Sequence, residues 1–188
     1  MMIPIVGFYT KDSPYQQEAL EMKESAHVVG VKDVHLYEVL SRGTWERNCQ
    51  QKAEILLRAC EDIGKPFLYV DADARFNTLP LIGSDWIDYD MGVHYFKGIE
   101  LLSGTIYINP TECTKRVLIN WVDACKYSVG RWDQRILADI LRRDDITKVL
   151  SLPPEYTWIF DLSKKYYGDL QPIVIHYQAS RKYKRGVK

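Results

Sequence analysis

The sequence has no long apolar run, no excess of charge of either sign and no closely spaced cysteine pair. No stretch approaches the roughly 18 apolar residues of a membrane-spanning helix, and the N-terminal run MMIPIVGFYT is too short for a signal peptide. The 25 basic and 25 acidic residues balance, which argues against a general polyanion-binding protein. The four cysteines form no CxxC pair, so a zinc ribbon is not expected. We therefore expect a soluble, intracellular (cytoplasmic) protein with reduced cysteines.

Strand-like and helix-like segments alternate along most of the 188-residue chain. Apolar, β-rich stretches predict strands at 3–9, 34–40 and 67–70, and a predicted helix at 48–63 carries its apolar residues on one face. Ser13 and Pro14 are residue types that begin a helix, here expected to reach residue 27. Later strands are predicted at 91–96, 105–109, 148–152 and 173–175, and later helices after Thr111 and at 133–142. The pattern indicates an α/β fold, with a mixed, mainly parallel sheet flanked by helices in a single compact domain.

Two aspartates, Asp71 and Asp73, directly follow the apolar strand at 67–70. In an extended or turning segment, side chains two residues apart can point to the same side and face one ion. Carboxylate oxygens suit the hard cations Mg²⁺ and Mn²⁺, and ligands of open α/β sheets bind outside the carboxyl ends of the strands. The stretch predicts a metal–phosphate site in which the ion neutralises a departing leaving group. The simpler alternative is that both aspartates cap the loop.

A second hypothesis for the same residues is an aspartate-dependent phosphatase or phosphotransferase with Asp71 as the nucleophile. Such enzymes carry DxDx(T/V) at the end of a strand, but Arg75 stands at the fifth position here and the strand comes late in the chain. The hypothesis also needs a second acidic pair late in the chain, for which Asp144 and Asp145 are the candidates.

Six short motifs follow one another along the chain: VGFYT (6–10), YVDADARF (69–76), LLSGTIYIN (101–109), WDQRILADIL (132–141), LPPEYTWIF (152–160) and IHYQASRK (175–182). Their order resembles that of nucleotide-sugar glycosyltransferases of the GT-A fold, most closely the glycogenin- and galactinol-synthase-like family. The resemblance implies one GT-A-like, Rossmann-related domain over 1–188. A nucleotide-binding half, 1–75, would end in the DxD motif, and 76–188 would form the sugar and acceptor half.

The resemblance also implies a role for each of several residues. Asp71, Asp73 and His176 would hold Mn²⁺ or Mg²⁺. Asp133 and Gln134 would bind sugar hydroxyls or lie beneath the anomeric carbon, as catalytic residues. The residues that would bind the nucleoside diphosphate sugar are Tyr9 and Thr10 at the nucleobase, Lys52, Gly104 beside the sugar, and Lys182 at the diphosphate.

By themselves, some of these residues have simpler interpretations. His176 could be a buried histidine bonded to backbone, and Asp133 could be the N-cap of the helix that follows it. Gly104 could be a plain turn. Lys182 lies in the basic segment RKYKRGVK, which could be a solvated terminus or a contact for an anionic acceptor. Aromatic residues that could stack an acceptor, or simply fill the core, are Trp45, Trp86 and Trp158.

The sequence therefore predicts a metal-dependent glycosyltransferase that takes a sugar from a nucleoside diphosphate sugar, a UDP-sugar by the resemblance. The DQ and His/Lys motifs resemble those of retaining enzymes, which favours retention of the anomeric configuration. The acceptor is expected to be soluble and of unknown class: a small molecule, a protein, a glycan or a modified nucleic-acid base. A third hypothesis is a catalytically silent nucleotide-sugar-binding module on the same fold.

Overall fold

Within residues 1–183, which a computed structural model describes, the main sheet has six strands. They are β1 (Ile5–Thr10), β2 (Val34–Val39), β3 (Phe67–Val70), β5 (Met91–Phe96), β6 (Glu100–Ile108) and β7 (Val149–Ser151). Their order across the sheet is β2-β1-β3-β6-β5-β7. Neighbouring strands run parallel, except that β6 is antiparallel to both β3 and β5. The predicted mixed, mainly parallel sheet is confirmed.

Helices cover both faces of this sheet. They are α1 (Pro14–Val28), α2 (Trp45–Ile63), α3 (Glu112–Tyr127), α4 (Asp133–Arg143), and the short α5 (Ser163–Tyr167) and α6 (Ser180–Tyr183). One apolar cluster joins Val6 and Tyr69 of the sheet to helices α2, α3 and α4. A second cluster joins Ile5 and Leu68 to α1 and to residues from the second half of the chain. Because successive residues of β3 pack into opposite clusters, the strand is buried at every position.

A second, small sheet lies beside the first and was not predicted from the sequence. It consists of β4 (Ala74–Phe76), β9 (Val174–His176) and β8 (Trp158–Ile159), in that order. Strands β4 and β9 are antiparallel, and the register pairs Ala74 with His176. The small sheet therefore carries the C-terminal part of the chain back to the loop that follows β3.

Most predicted elements are present, with shifted ends. Helix α2 begins about one turn earlier than expected, because the Thr44 side chain caps it by accepting a hydrogen bond from the Arg47 N–H. It ends at Gly64, whose left-handed backbone (φ 63°) is the expected C-terminal stop. Strand β6 begins five residues before the predicted start, because it pairs with β5 as far as Glu100. None of the helices in residues 1–183 is both long and apolar enough to cross a membrane.

Candidate active site

The two aspartates of the DxD motif and His176 meet at the carboxyl end of β3. Each of these three side chains offers one ligand atom, and the three atoms lie within 4.8 Å of one another. The Asp71 N–H donates to the Gly104 carbonyl at 2.8 Å, which fixes this loop against β6. His176 reaches the same point because β9 pairs with β4 directly after the motif. The predicted trio is thus brought together by two segments that are far apart in the chain.

The charges of the trio suit a divalent cation. Burial, together with the negative charge of Asp71, raises the pKa of Asp73 to about 6, so this carboxylate is ionised at neutral pH. Burial lowers the pKa of His176 to about 4, so its imidazole is neutral at pH 7, as a metal ligand must be. Carboxylate oxygens and one neutral imidazole form a donor set that Mn²⁺ or Mg²⁺ accepts. The residues present therefore fit the predicted ion.

One oxygen of each aspartate is already held by the protein. Asp71 Oδ1 accepts a hydrogen bond from the Tyr69 hydroxyl at 2.6 Å and lies 3.0 Å from Lys52 Nζ. Asp73 Oδ2 accepts the Ala179 N–H at 2.7 Å. The second oxygen of each carboxylate, Asp71 Oδ2 or Asp73 Oδ1, can still act as a metal ligand. Such contacts to the non-ligating atoms commonly orient metal ligands.

Gly104 lies where β6 passes closest to the trio. A Cβ atom at this position would be 2.9 Å from His176 Cε1 and 3.4 Å from Asp71 Oδ2. Contacts below 3.0 Å are not tolerated by real Cβ atoms without movement of a neighbour. Gly104 is part of strand β6 rather than of a turn, so its small size, and not an unusual backbone angle, is what this position uses.

Lys52 is the centre of a buried polar network behind the trio. Its ammonium lies 3.0 Å from Asp71 and 2.9 Å from Asp133, and it also donates to the carbonyl and hydroxyl oxygens of Ser103 at 3.0 and 3.1 Å. Burial alone would lower the pKa of Lys52, but the charges of Asp133 and Asp71 raise it above its ordinary value. Lys52 therefore stays charged, and its hydrogens are directed at protein groups of the site.

Asp133 and Gln134, the two predicted catalytic residues, begin helix α4. The Asp133 carboxylate is buried and also accepts a hydrogen bond from the Ser103 hydroxyl at 3.0 Å. Gln134 accepts the Ser103 N–H at 3.3 Å and donates to Glu100 at 3.1 Å. The N-cap of α4 is Trp132, so the alternative that Asp133 serves as the N-cap is wrong. Both side chains instead attach the start of α4 to β6, next to Gly104.

The residues predicted at the nucleobase and the diphosphate lie at the end of β1 and on α6. Tyr9 and Thr10 form the carboxyl end of β1; Thr10 is buried and Tyr9 donates to Glu38 at 3.2 Å. Lys182 is exposed on α6, with its ammonium 5.1 Å from the centre of the Tyr183 ring. Helix α6 is tied to the trio through Ala179, which bonds Asp73 and accepts the Lys182 N–H at 2.9 Å. Three further residues of the basic segment RKYKRGVK, Lys184, Arg185 and Lys188, lie outside the described residues.

Sequence reasoning missed three polar residues that hold the site together: Tyr69, Ser103 and Thr105. Tyr69 orients Asp71, Ser103 contacts Lys52 and Asp133, and the Thr105 hydroxyl lies 2.9 Å from His176 Nε2. A signal was available, because Tyr69 precedes Asp71 by two residues in an otherwise apolar strand. Ser103 and Thr105 are likewise two positions apart in β6, so their side chains lie on the same face of the strand. Polar side chains buried on such a face need hydrogen-bond partners.

The tryptophans predicted as a possible acceptor platform differ in their surroundings. Trp86 is buried, and its ring centre lies 5.5 Å from that of Tyr107 and 5.3 Å from that of Tyr156, as expected of a core residue. Trp158 is also buried. Trp45 donates through its indole nitrogen to the Tyr15 hydroxyl at 3.2 Å and packs edge-to-face with Trp132. The core interpretation therefore holds for Trp86 and Trp158.

The second acidic pair required by the phosphatase hypothesis lies at the wrong end of α4. Asp144 is bonded to Arg116 at 3.0 Å and to the N–H groups of Ile146 and Thr147. It follows the last turn of the helix, whereas Asp133, which shares Lys52 with Asp71, begins the first. At about 1.5 Å per residue, the eleven-residue helix separates the two by about 16 Å. Asp144 is thus not part of the site around Asp71.

Comparisons with known proteins identify the family and the fold of the chain. The family model of nucleotide-diphospho-sugar transferases matches residues 41–188, which include the trio, Lys52, Asp133 and Gln134. A similar solved structure is that of a glycosyltransferase involved in the glycosylation of the major capsid of PBCV-1. The match covers 99% of this chain and 98% of the other chain, with a TM-score of 0.74 and 14% sequence identity. This likeness shows a shared fold. No curated protein sequence matches the chain. Because the family model covers most of its length, the chain belongs to the nucleotide-diphospho-sugar transferases and is a glycosyltransferase with a GT-A-like fold.

Proposed function

We propose that this glycosyltransferase is metal-dependent and that Asp71, Asp73 and His176 hold the ion, Mn²⁺ or Mg²⁺. The observation that carries the proposal is the convergence of three ligand atoms within 4.8 Å, from the loop after β3 and from β9. The donor is a nucleoside diphosphate sugar, and the resemblance of the motifs favours a UDP-sugar. An ion held by these three residues would supply positive charge that neutralises the diphosphate leaving group.

The residues around the trio have complementary roles in this proposal. Asp133 and Gln134 would bind the donor sugar, since both side chains are bonded to Ser103 of β6, next to Gly104. Lys52 holds the Asp71 and Asp133 carboxylates in position and balances their negative charges. Lys182, near the end of the short helix tied to Asp73, would stabilise the charge of the departing diphosphate.

The two halves of the chain would divide the substrates between them. Residues 1–75 would form the nucleotide half, with Tyr9 and Thr10 at the nucleobase, and 76–188 the sugar and acceptor half. We propose retention of the anomeric configuration, from the likeness of the DQ and His/Lys motifs to those of retaining enzymes. NMR of the product tests this directly, because an inverted anomer would contradict it.

The acceptor is proposed only as a class. The solved structure described above is of an enzyme involved in the glycosylation of a viral capsid protein, so a protein or its glycan is one candidate here. A small molecule or a modified nucleic-acid base would also be consistent with the site. Transfer assays with each class, using the donor identified below, would separate them.

Thermal unfolding against a panel of nucleoside diphosphates, each with and without Mn²⁺, tests the donor site. A ligand that binds only the folded state at 100 times its Kd should stabilise the protein by about 2.7 kcal/mol. We expect a shift with UDP that requires Mn²⁺ and is lost in Asp73→Asn. The control is Asp88→Asn, which changes an exposed aspartate outside the site and should keep the shift.

The opposite result is equally informative. A shift with Mg²⁺ and a phosphate analogue, but with none of the nucleotides, would contradict the donor site and return Asp71 to the phosphotransfer hypothesis. A nucleotide shift of the same size with and without metal would contradict the metal site alone.

A further inference from the structure

The hydrogen bonds around Thr105 determine which ring nitrogen of His176 carries a proton. Thr105 is fully buried on β6, and its hydroxyl donates to the Tyr156 carbonyl at 2.7 Å. The same oxygen lies 2.9 Å from His176 Nε2. A threonine hydroxyl has one hydrogen, and it is already given to a carbonyl that has none to offer. The contact with His176 is therefore a hydrogen bond only if Nε2 donates.

The other ring nitrogen is then the one with a free lone pair. A metal-binding imidazole is neutral and carries a single ring hydrogen, so a proton on Nε2 leaves Nδ1 unprotonated. Nδ1 is the ring nitrogen that lies near Gly104, as Asp71 Oδ2 does. A Cβ atom placed on Gly104 would lie 3.0 Å from His176 Nδ1 and 3.4 Å from Asp71 Oδ2, so these two atoms approach the same point of β6.

We propose that Thr105 is a positioning residue that makes Nδ1 the metal-binding atom of His176. It does so by accepting the Nε2 hydrogen and by holding the ring in the orientation that aims Nδ1 at the DxD loop. This inference rests on the metal site proposed above. A hydrogen-bond partner of the ring nitrogen that does not bind the metal commonly orients a metal-binding histidine and selects its tautomer.

Tyr156, whose carbonyl accepts the Thr105 hydrogen, is itself held in place by other contacts. The Tyr156 hydroxyl donates to the Leu81 carbonyl at 2.6 Å, and its ring packs against Trp86 in the core. Because Tyr156 is buried and anchored at both its side chain and its backbone, its carbonyl determines the direction of the Thr105 hydroxyl. The chain of contacts from the core to the metal site is thus Tyr156, Thr105 and His176.

Two substitutions at Thr105 separate the hydroxyl from the shape of the side chain. Thr105→Val keeps the shape and removes the hydroxyl, whereas Thr105→Ser keeps the hydroxyl. We expect the valine variant to bind Mn²⁺ about 10- to 100-fold more weakly than the wild type, measured by calorimetry and by the EPR signal of free Mn²⁺. The serine variant should bind within a few-fold of the wild type. In the metal-free protein, ¹⁵N NMR should find the proton of His176 on Nε2 in the wild type and in Thr105→Ser.

A matched control is Thr114→Val. Thr114 is also fully buried and also donates its hydroxyl to a backbone carbonyl, that of Asp90, at 2.7 Å. This variant loses the same chemical group away from the trio, so it should be destabilised while keeping the Mn²⁺ affinity of the wild type. Weaker binding that merely follows from lower stability would affect both valine variants.

The possible results separate the two proposals. Wild-type Mn²⁺ affinity in Thr105→Val would overturn the role of Thr105 and leave the metal site intact. A His176 proton on Nδ1 in the metal-free wild type would overturn it without any variant. If the wild type binds no Mn²⁺ at all, the metal site itself is contradicted, and this inference with it.

Discussion

At the scale of single residues, the most consequential side chain is Lys52. It is 3% exposed and lies between two carboxylates, those of Asp71 and Asp133. Removing one partner of a buried ion pair leaves the other charge without compensation, which typically costs about 3–5 kcal/mol. We expect Lys52→Met to lower the free energy of unfolding by about this amount, as measured by urea denaturation.

The control for Lys52 is a lysine whose ion pair is exposed. Lys126 pairs with Asp123 at 2.8 Å on the surface of α3, with 58% and 57% of the two side chains exposed. Lys126→Met should leave the urea midpoint unchanged, because surface pairs contribute little. Adding Asp133→Asn to Lys52→Met should recover part of the loss. Equal midpoints for the two single lysine variants would contradict the network described here.

The metal affinity should depend on pH through Asp73. Burial raises its pKa to about 6, so below this pH an incoming ion must displace a proton. Burial lowers the pKa of His176 to about 4, so His176 does not compete with the ion until the pH falls near that value. We therefore expect the Kd for Mn²⁺ to rise about tenfold per pH unit below pH 6, a one-proton dependence, in calorimetry between pH 7 and 5. A two-proton dependence in this range, or none, would contradict it.

The stability of the metal-free protein should respond to pH much less clearly. The raised pKa of Asp73 contributes stability that is lost as the pH rises through about 6. The lowered pKa of His176 acts in the opposite direction, because its contribution is lost as the pH falls towards about 4. The two effects oppose each other between these values, so the metal affinity is the better measurement.

At the scale of elements, the close approach of β6 to β9 depends on Gly104. We expect Gly104→Ala to displace the His176 ring, because the added methyl would lie within 2.9 Å of it, and to weaken Mn²⁺ binding at least tenfold. The control is Gly92→Ala in β5, where a methyl would lie 3.0 Å from Leu152 and 3.1 Å from Tyr107. That variant should be destabilised but keep its Mn²⁺ affinity, and calorimetry of both tests this. Unchanged affinity in Gly104→Ala would contradict the tight contact.

The elements themselves were predictable in proportion to their length. Helices α2, α3 and α4 carry apolar faces over 11 to 19 residues, enough for a period of 3.6 to be recognised. Strands β4 and β8 have three and two residues and leave no periodic signal. They exist because β9 pairs with both of them, a contact between segments about 100 residues apart in the case of β4.

At the scale of the whole molecule, the proposed halves 1–75 and 76–188 share both sheets. Strand β3 pairs with β6 in the main sheet, and β4, at the boundary, pairs with β9 in the small one. We therefore expect one cooperative unfolding transition, with the same urea midpoint by far-UV circular dichroism and by tryptophan fluorescence. A fragment of residues 1–75 should not fold alone, because β3 would lose its pairing with β6. Two separate transitions would contradict this.

What the sequence determined by itself was local. The apolar run before Asp71 and Asp73, the apolar faces of the helices and the order of the six motifs sufficed for the α/β class and the family, and they proposed the trio Asp71, Asp73 and His176. Only the tertiary structure decided how the site is held: that β9 returns to β4, that Lys52 faces Asp71 and Asp133, and that Thr105 bonds His176. Periodicity and spacing describe neighbours along the chain, whereas these contacts join residues 19 to 102 positions apart and form only when distant segments pack together.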